Sequence, residues 1–128
     1  MEGIFADMRV MVVDDVEMTQ RLVGAMLRNM GISQVFLAGN GVEALDQIVA
    51  EPERVNTLLC DWNMPEMDGM ALLSNLRQQG IDIPFVMMTG RNDEASVHLA
   101  KESGVDAYIV KPCCPFQLKE KLLHVHRK

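Results

Sequence analysis

Residues 58–69 read LLCDWNMPEMDG, and the position of one charge in this stretch decides the fold. The apolar run Leu58-Leu59-Cys60 ends abruptly in Asp61. An exposed-looking Trp62 then leads into Asn63, Pro65, Asp68 and Gly69, residue types that build turns and open helices. A short apolar run with turn chemistry behind it reads as a buried strand. It delivers Asp61 to the edge of a sheet.

Working outward, the strand begins in VNTLLC (55–60), and Asp68 can cap a helix carrying Met70, Leu72, Leu73 and Leu76 that Gly80 ends. The same unit recurs along the chain. MRVMVVDD (8–15) is a Val- and Met-rich strand closed by two acids. A helix follows with apolar residues at Met18, Leu22, Met26 and Met30, backed by Val23 and Leu27, and Gly31 can stop it with positive φ. QVFLA (34–38) is a second strand, after which Asn40 caps a helix carrying Val42, Leu45, Ile48 and Val49 until Pro52 breaks the pattern. IPFVMMT (83–89) is the fourth strand, and Asn92 can start a helix through Ala95, Leu99 and Ala100 to Gly104. AYIV (107–110) is the fifth strand, and Pro115 opens a last helix through Leu118, Leu122 and Val125. Five strands thus alternate with five helices. That pattern predicts an α/β fold whose parallel sheet is covered on both faces, because right-handed crossovers place helices there.

The chain has 128 residues, 48% of them hydrophobic and 23% charged, which fits one compact domain and leaves no room for a second ordinary one. No apolar stretch approaches the ~20 residues that span a bilayer. The N-terminus lacks the basic segment and long apolar core of a secretory signal, so the expected location is the cytoplasm. Cys60, Cys113 and Cys114 cannot pair evenly, and reduced thiols are the natural reading. A net charge of −6 opposes non-specific binding to nucleic acid or anionic membrane and points to protein partners. The eleven methionines read as core filling, and His98, His124 and His126 as surface residues without ligand spacing.

In open parallel sheets, ligands bind beyond the carboxyl ends of the strands, and the polar residues accumulate there. Asp14 and Asp15 follow the first strand, Asp61 the third and Lys111 the fifth, while Thr89 ends the fourth. All should lie along one edge. Three carboxylates in one place repel one another, and a site with few protein oxygens suits Mg²⁺ as the compensating cation. A free carboxylate oxygen of Asp61 could then attack phosphorus to give an acyl phosphate, with Lys111 and the Thr89 hydroxyl meeting the charge that spreads over the transferred group. Taken singly, each feature has a plainer reading: an acidic pair as a helix cap, a loop lysine in solvent, an aromatic Tyr108 favoured in a strand. The set in register changes the odds.

The acid pair after VMVV, together with DWNMPEMDG, MMTG and YIVKP, resembles the receiver domain of two-component response regulators, over nearly the whole chain. It is most like the single-domain, chemotaxis type. The resemblance implies a doubly wound, flavodoxin-like (βα)5 three-layer sandwich with strand order 2-1-3-4-5. It also implies roles for single residues. Asp61 would accept a phosphoryl group from a histidine kinase. Asp15 would bind Mg²⁺ directly, Asp14 mainly through water and Asn63 through its backbone carbonyl, so that side-chain changes at Asn63 spare the metal. Lys111 would pair with the phosphoryl oxygens, and Thr89 would swing toward them while Tyr108 turns inward. That moves the surface of the fourth helix, fifth strand and fifth helix, changing affinity for a downstream target protein rather than creating a new reaction. Hydrolysis or a phosphatase would end the signal.

Two departures from the family pattern stand out. After LysPro the family often has an aromatic and a Ser or Thr, whereas Cys113 and Cys114 stand here. Arg91 would lie at the mouth of the site, where Arg91→Ala is expected to change phosphoryl lifetime. Three rival readings stay open on sequence alone: an aspartate-based phosphatase, though Asn63 stands where such enzymes place a second acid; a constitutive binding module with an unused site; and the receiver fragment of a longer regulator with an effector domain.

Overall fold

In the computed structural model, which describes residues 5–126, the chain alternates strand and helix: β1 (Arg9–Val13), α1 (Glu17–Asn29), β2 (Gln34–Ala38), α2 (Gly41–Ala50), β3 (Thr57–Cys60), α3 (Gly69–Gln78), β4 (Phe85–Thr89), α4 (Glu94–Glu102), β5 (Ala107–Val110) and α5 (Pro115–His126). A 3₁₀ turn, Pro52–Arg54, lies where Pro52 stops α2. The five strands are all parallel in the order β2-β1-β3-β4-β5, the flavodoxin-like order expected from the family resemblance.

Period-2 alternation sorts the core into two layers. Met11 and Val13 of β1, Leu58 and Cys60 of β3, and Phe85 and Met87 of β4 face one way. They pack with Ala44 and Ile48 of α2, Leu72, Leu73 and Leu76 of α3, and Ala100 of α4. Val10, Val12, Leu59, Val86, Met88 and Ile109 face the other way, onto Val23 and Leu27 of α1 and Leu118, Leu122 and Val125 of α5. The central strands β3 and β4 are buried along their whole length, as strands covered on both faces must be, and β2 and β5 at the edges are partly exposed.

The helix ends follow local chemistry. Asn40 and Asp68 cap α2 and α3, accepting from the backbone N–H groups of Glu43 and Ala71 at 2.9 and 2.8 Å. Gly31 takes the φ of +101° that ends α1. Two expectations need correction. The cap of α4 is Asp93, not Asn92: its Oδ2 accepts from Ser96 N at 2.9 Å, and the helix begins at Glu94. Met18 and Leu22 are 77% and 57% exposed, and Val42, Val49, Ala95 and Leu99 also face solvent. Each of these helices carries an apolar stripe wider than the sheet can cover; α1 rests on Val23 and Leu27, an i,i+4 pair, and leaves the neighbouring Met18–Leu22 row outside. Met8, Met11, Met87 and Met88 do fill the core.

Candidate functional site

Three residues of the site are aimed by backbone pairing that continues one step past the strands. Asp14 N donates to Ala38 O at 3.1 Å, Asp61 N to Val13 O at 2.9 Å, and Lys111 N to Thr89 O at 2.8 Å. This extension brings side chains from β1, β3 and β5 to one end of the sheet. One carboxylate oxygen from each of Asp14, Asp15 and Asp61 lies within 4.8 Å of the others. Lys111 Nζ donates to Asp14 Oδ2 at 2.8 Å and to Asp61 Oδ2 at 3.2 Å. The remaining oxygens are held too: Asp14 Oδ1 accepts from Val16 N at 2.9 Å and Asp61 Oδ1 from Trp62 N at 2.7 Å.

Asp14 is fully buried, Asp61 is 7% exposed, and Asp15 is exposed. Burial pushes the Asp61 carboxyl above its ordinary value, against the pull of Lys111, and the Asp14 charge adds to the rise. The Lys111 ammonium is held above its own ordinary value: burial works to lower it and is outweighed by the hydrogen bonds and charges of Asp14 and Asp61. Three carboxylates thus face one ammonium. That donor set, all hard oxygen with an excess of negative charge, fits a divalent cation of the Mg²⁺ type, with Asp14, Asp15 and Asp61 able to hold it.

The loop after Asp61 turns tightly. Gly69 N donates to Trp62 O at 2.8 Å, and Gly69 packs so closely on Asp61 O that a Cβ there would collide with it. Trp62, expected to be exposed, is 3% exposed: it joins the core layer under α3 and is roofed by Arg91, whose guanidinium lies 4.3 Å from the ring centroid. Asn63 is exposed, and its Oδ1 accepts from Arg91 Nη2 at 2.7 Å.

Thr89 is fully buried at the end of β4, and its Oγ1 accepts from Arg91 N at 3.3 Å. Tyr108 is half-buried, and its hydroxyl donates to Arg91 O at 2.7 Å. Burial, and then the charge of Asp93, push the Tyr108 phenol above its usual value. Cys60 is fully buried, its thiol pushed far up by burial, and is inert in this setting. Cys113 and Cys114 are free thiols.

The structure therefore brings together Asp14, Asp15, Asp61 and Lys111 directly, and links Asn63, Thr89 and Tyr108 to one another through Arg91. Sequence reading missed Gln20, whose Nε2 donates to Asp14 O at 2.6 Å and to Ala38 O at 3.2 Å, tying α1 to the end of β1. Its place on the first turns of α1 behind the acid pair is the only signal the sequence offers for it.

Comparison with known proteins places this geometry. The response regulator receiver domain profile matches residues 10–123. The chain is 41% identical over 117 residues to a chemotaxis protein CheY homolog of Campylobacter jejuni, covering 90% of this chain and 89% of that one. It is 39% identical to chemotaxis protein CheY1 of Helicobacter pylori, covering 90% and 94%. In fold it matches the CheX–CheY–BeF₃–Mg²⁺ complex of Borrelia burgdorferi with a TM-score of 0.89 at 24% identity, over 94% of this chain and 90% of that one. Common descent accounts for a likeness that extends from sequence to strand order, and the chain belongs to the response regulator receiver domain family, signalling domains of the CheY-like type.

Proposed function

We propose that this protein is a phosphorylation-dependent switch in which Asp61 accepts a phosphoryl group from a histidine kinase. A carboxylate oxygen of Asp61 attacks phosphorus while the P–N bond to the kinase imidazole breaks. The nitrogen keeps the bonding pair, and the product is an acyl phosphate on Asp61. The observation that carries this reading is the junction of Asp61 with Lys111 and Asp14 at the carboxyl end of the sheet. It supplies an acceptor oxygen and a cation within reach of the same group.

Asp14, Asp15, Asp61 and the backbone carbonyl of Asn63 are the groups that would hold Mg²⁺. When bound, the ion supplies charge stabilisation for the phosphoryl oxygens. Lys111 neutralises charge from the other side, and Asp14 keeps that ammonium aimed at the acceptor. The Thr89 hydroxyl, at present accepting from Arg91 N, is free to donate to a phosphoryl oxygen. Its movement would be felt by Tyr108, because both residues bond to the Arg91 backbone. A bias of ~1–3 kcal/mol between two states of the α4–β5–α5 surface is enough to change the affinity of a protein partner.

The reading includes the organisation and setting of the chain: residues 1–128 as one receiver domain, working in the cytoplasm with a kinase, a target protein and a phosphatase. The receiver match over residues 10–123 supports the single receiver domain within these residues. None of the described helices is long and apolar enough to cross a membrane.

The test is intact mass after incubation with a small-molecule acyl phosphate and Mg²⁺, beside Asp61→Asn and a chelated control. One phosphoryl adduct that needs both Asp61 and Mg²⁺ is expected. An adduct that persists in Asp61→Asn would move the acceptor elsewhere. No adduct, where another receiver is modified, would favour a constitutive binding module.

A further inference from the structure

We infer that Arg91 is a positioning residue for the loop that follows Asp61, and that it sets the affinity of the site for Mg²⁺ by holding Asn63; the inference rests on the metal-site reading above. Arg91 spans two sides of the site. Its backbone is fixed to β4 and β5, through N to Thr89 Oγ1 at 3.3 Å and through O from the Tyr108 hydroxyl at 2.7 Å. Its side chain crosses to the β3 loop, lies over the Trp62 ring at 4.3 Å, and donates to Asn63 Oδ1 at 2.7 Å.

The loop up to Trp62 is anchored in the core and by the Gly69 N–Trp62 O bond, whereas Asn63 beyond it is exposed. Among the described residues Arg91 is the only side-chain hydrogen-bond partner of Asn63. A backbone carbonyl that must be ordered on metal binding lowers affinity, whereas one already ordered does not. The planar guanidinium suits this job because it can stack on an indole and direct a hydrogen bond from its edge in one conformation. An ammonium meets those two demands less well.

A second effect has the opposite sign. A guanidinium near an acidic site repels a dication, so removing it would tighten binding if charge were its only role. The conservative variant separates the two, since Arg91→Lys keeps the charge and loses the fork. The inference also departs from the expectation that side-chain changes at Asn63 spare the metal.

The experiment is calorimetric titration of the full chain with MgCl₂ alone, for the natural protein, Arg91→Ala, Arg91→Lys, Asn63→Ala and the Arg91→Ala/Asn63→Ala pair. Arg91→Ala and Asn63→Ala are each expected to weaken Mg²⁺ binding by about three- to tenfold, the range set by one stacked cation and one hydrogen bond. Arg91→Lys should weaken it in the same direction, and the double variant should be no weaker than the weaker single, because both break one link. Unchanged affinity in the Arg91 variants overturns the inference, and so does full additivity. Tighter binding in Arg91→Ala with natural affinity in Arg91→Lys also overturns it, reducing Arg91 to a repelling charge. A natural protein that takes up no Mg²⁺ overturns the metal-site reading and this inference with it; the other adverse outcomes leave the metal site standing.

Discussion

The ammonium of Lys111 reaches the Asp61 carboxylate from 50 residues away along the chain, with Nζ 3.2 Å from Oδ2. It does not fully offset the burial of that carboxylate, which sits above its ordinary value of 3.8. A folded-state value above the unfolded one means that the native protein binds the proton more tightly, so stability falls as pH rises through that window. At pH 7 the ionised Asp61 therefore costs stability. Asp61→Asn is expected to raise the unfolding free energy at pH 7, with a gain that shrinks as the pH falls toward 3.8. Urea denaturation of both proteins at several pH values checks this. A loss of stability at pH 7 would mean that the bonds from Lys111 and Trp62 outweigh the burial cost.

Mg²⁺ should stabilise the fold by filling the same charge deficit. A ligand that binds only the native state adds about 2.7 kcal/mol at a hundredfold excess over its Kd. Thermal melts should therefore rise with Mg²⁺ and return with a chelator. Asp15→Asn should lose most of the rise while melting normally without metal, because Asp15 is exposed and is not bonded by Lys111. An equal Mg²⁺ shift in Asp15→Asn would take that residue out of the metal site.

The sheet and the acidic cluster were legible because strand ends are legible. An apolar run that stops at Asp61, or at Asp14, places the acid at the sheet edge whatever the rest of the chain does. Asn40 and Asp68 were readable as caps for the same local reason, while Asn92 and Asp93 are both good caps and only the bond to Ser96 N decides between them. Trp62 was not legible. It packs into the core layer beneath Arg91, a cation from a different loop that only the closed fold sets over the ring. The exposed row of Met18 and Leu22 was hidden likewise: periodicity shows that a helix has an apolar face, and only the sheet decides how much of it is covered.

Gly69 is expected to be intolerant of any side chain. A Cβ there would collide with the Asp61 carbonyl and approach Met87 Sδ at 3.2 Å, with no flexible side chain on the nearest side to yield. Gly69→Ala should lower stability by ~1–3 kcal/mol, as overpacking typically does, despite the better helix propensity of alanine. It should also slow modification of Asp61 by a small acyl phosphate, since the displaced atom belongs to the acceptor residue itself. A variant that melts and reacts like the natural protein would show that the loop has slack.

Adjacent cysteines invite a redox role, and their environments argue against equal reactivity. Burial pushes the Cys113 thiol up to about 11, with the Cys114 charge adding to it, while Cys114 is exposed. At pH 8 only about one Cys113 in a thousand is then thiolate, the form that reacts. Cys60 is buried with its thiol pushed further from reach. Brief treatment of the folded protein with iodoacetamide at pH 8 should give one adduct, mapped to Cys114 by peptide mass, and Cys113 should follow only as the pH nears 11. Cys113 lines a cleft with Leu22, Val23 and Met26 of α1, so equal labelling of both at pH 8 would mean that α5 moves away from α1 in solution and opens it. If the singly alkylated protein still takes a phosphoryl group and switches its partner affinity, the Cys114 thiol has no part in the switch.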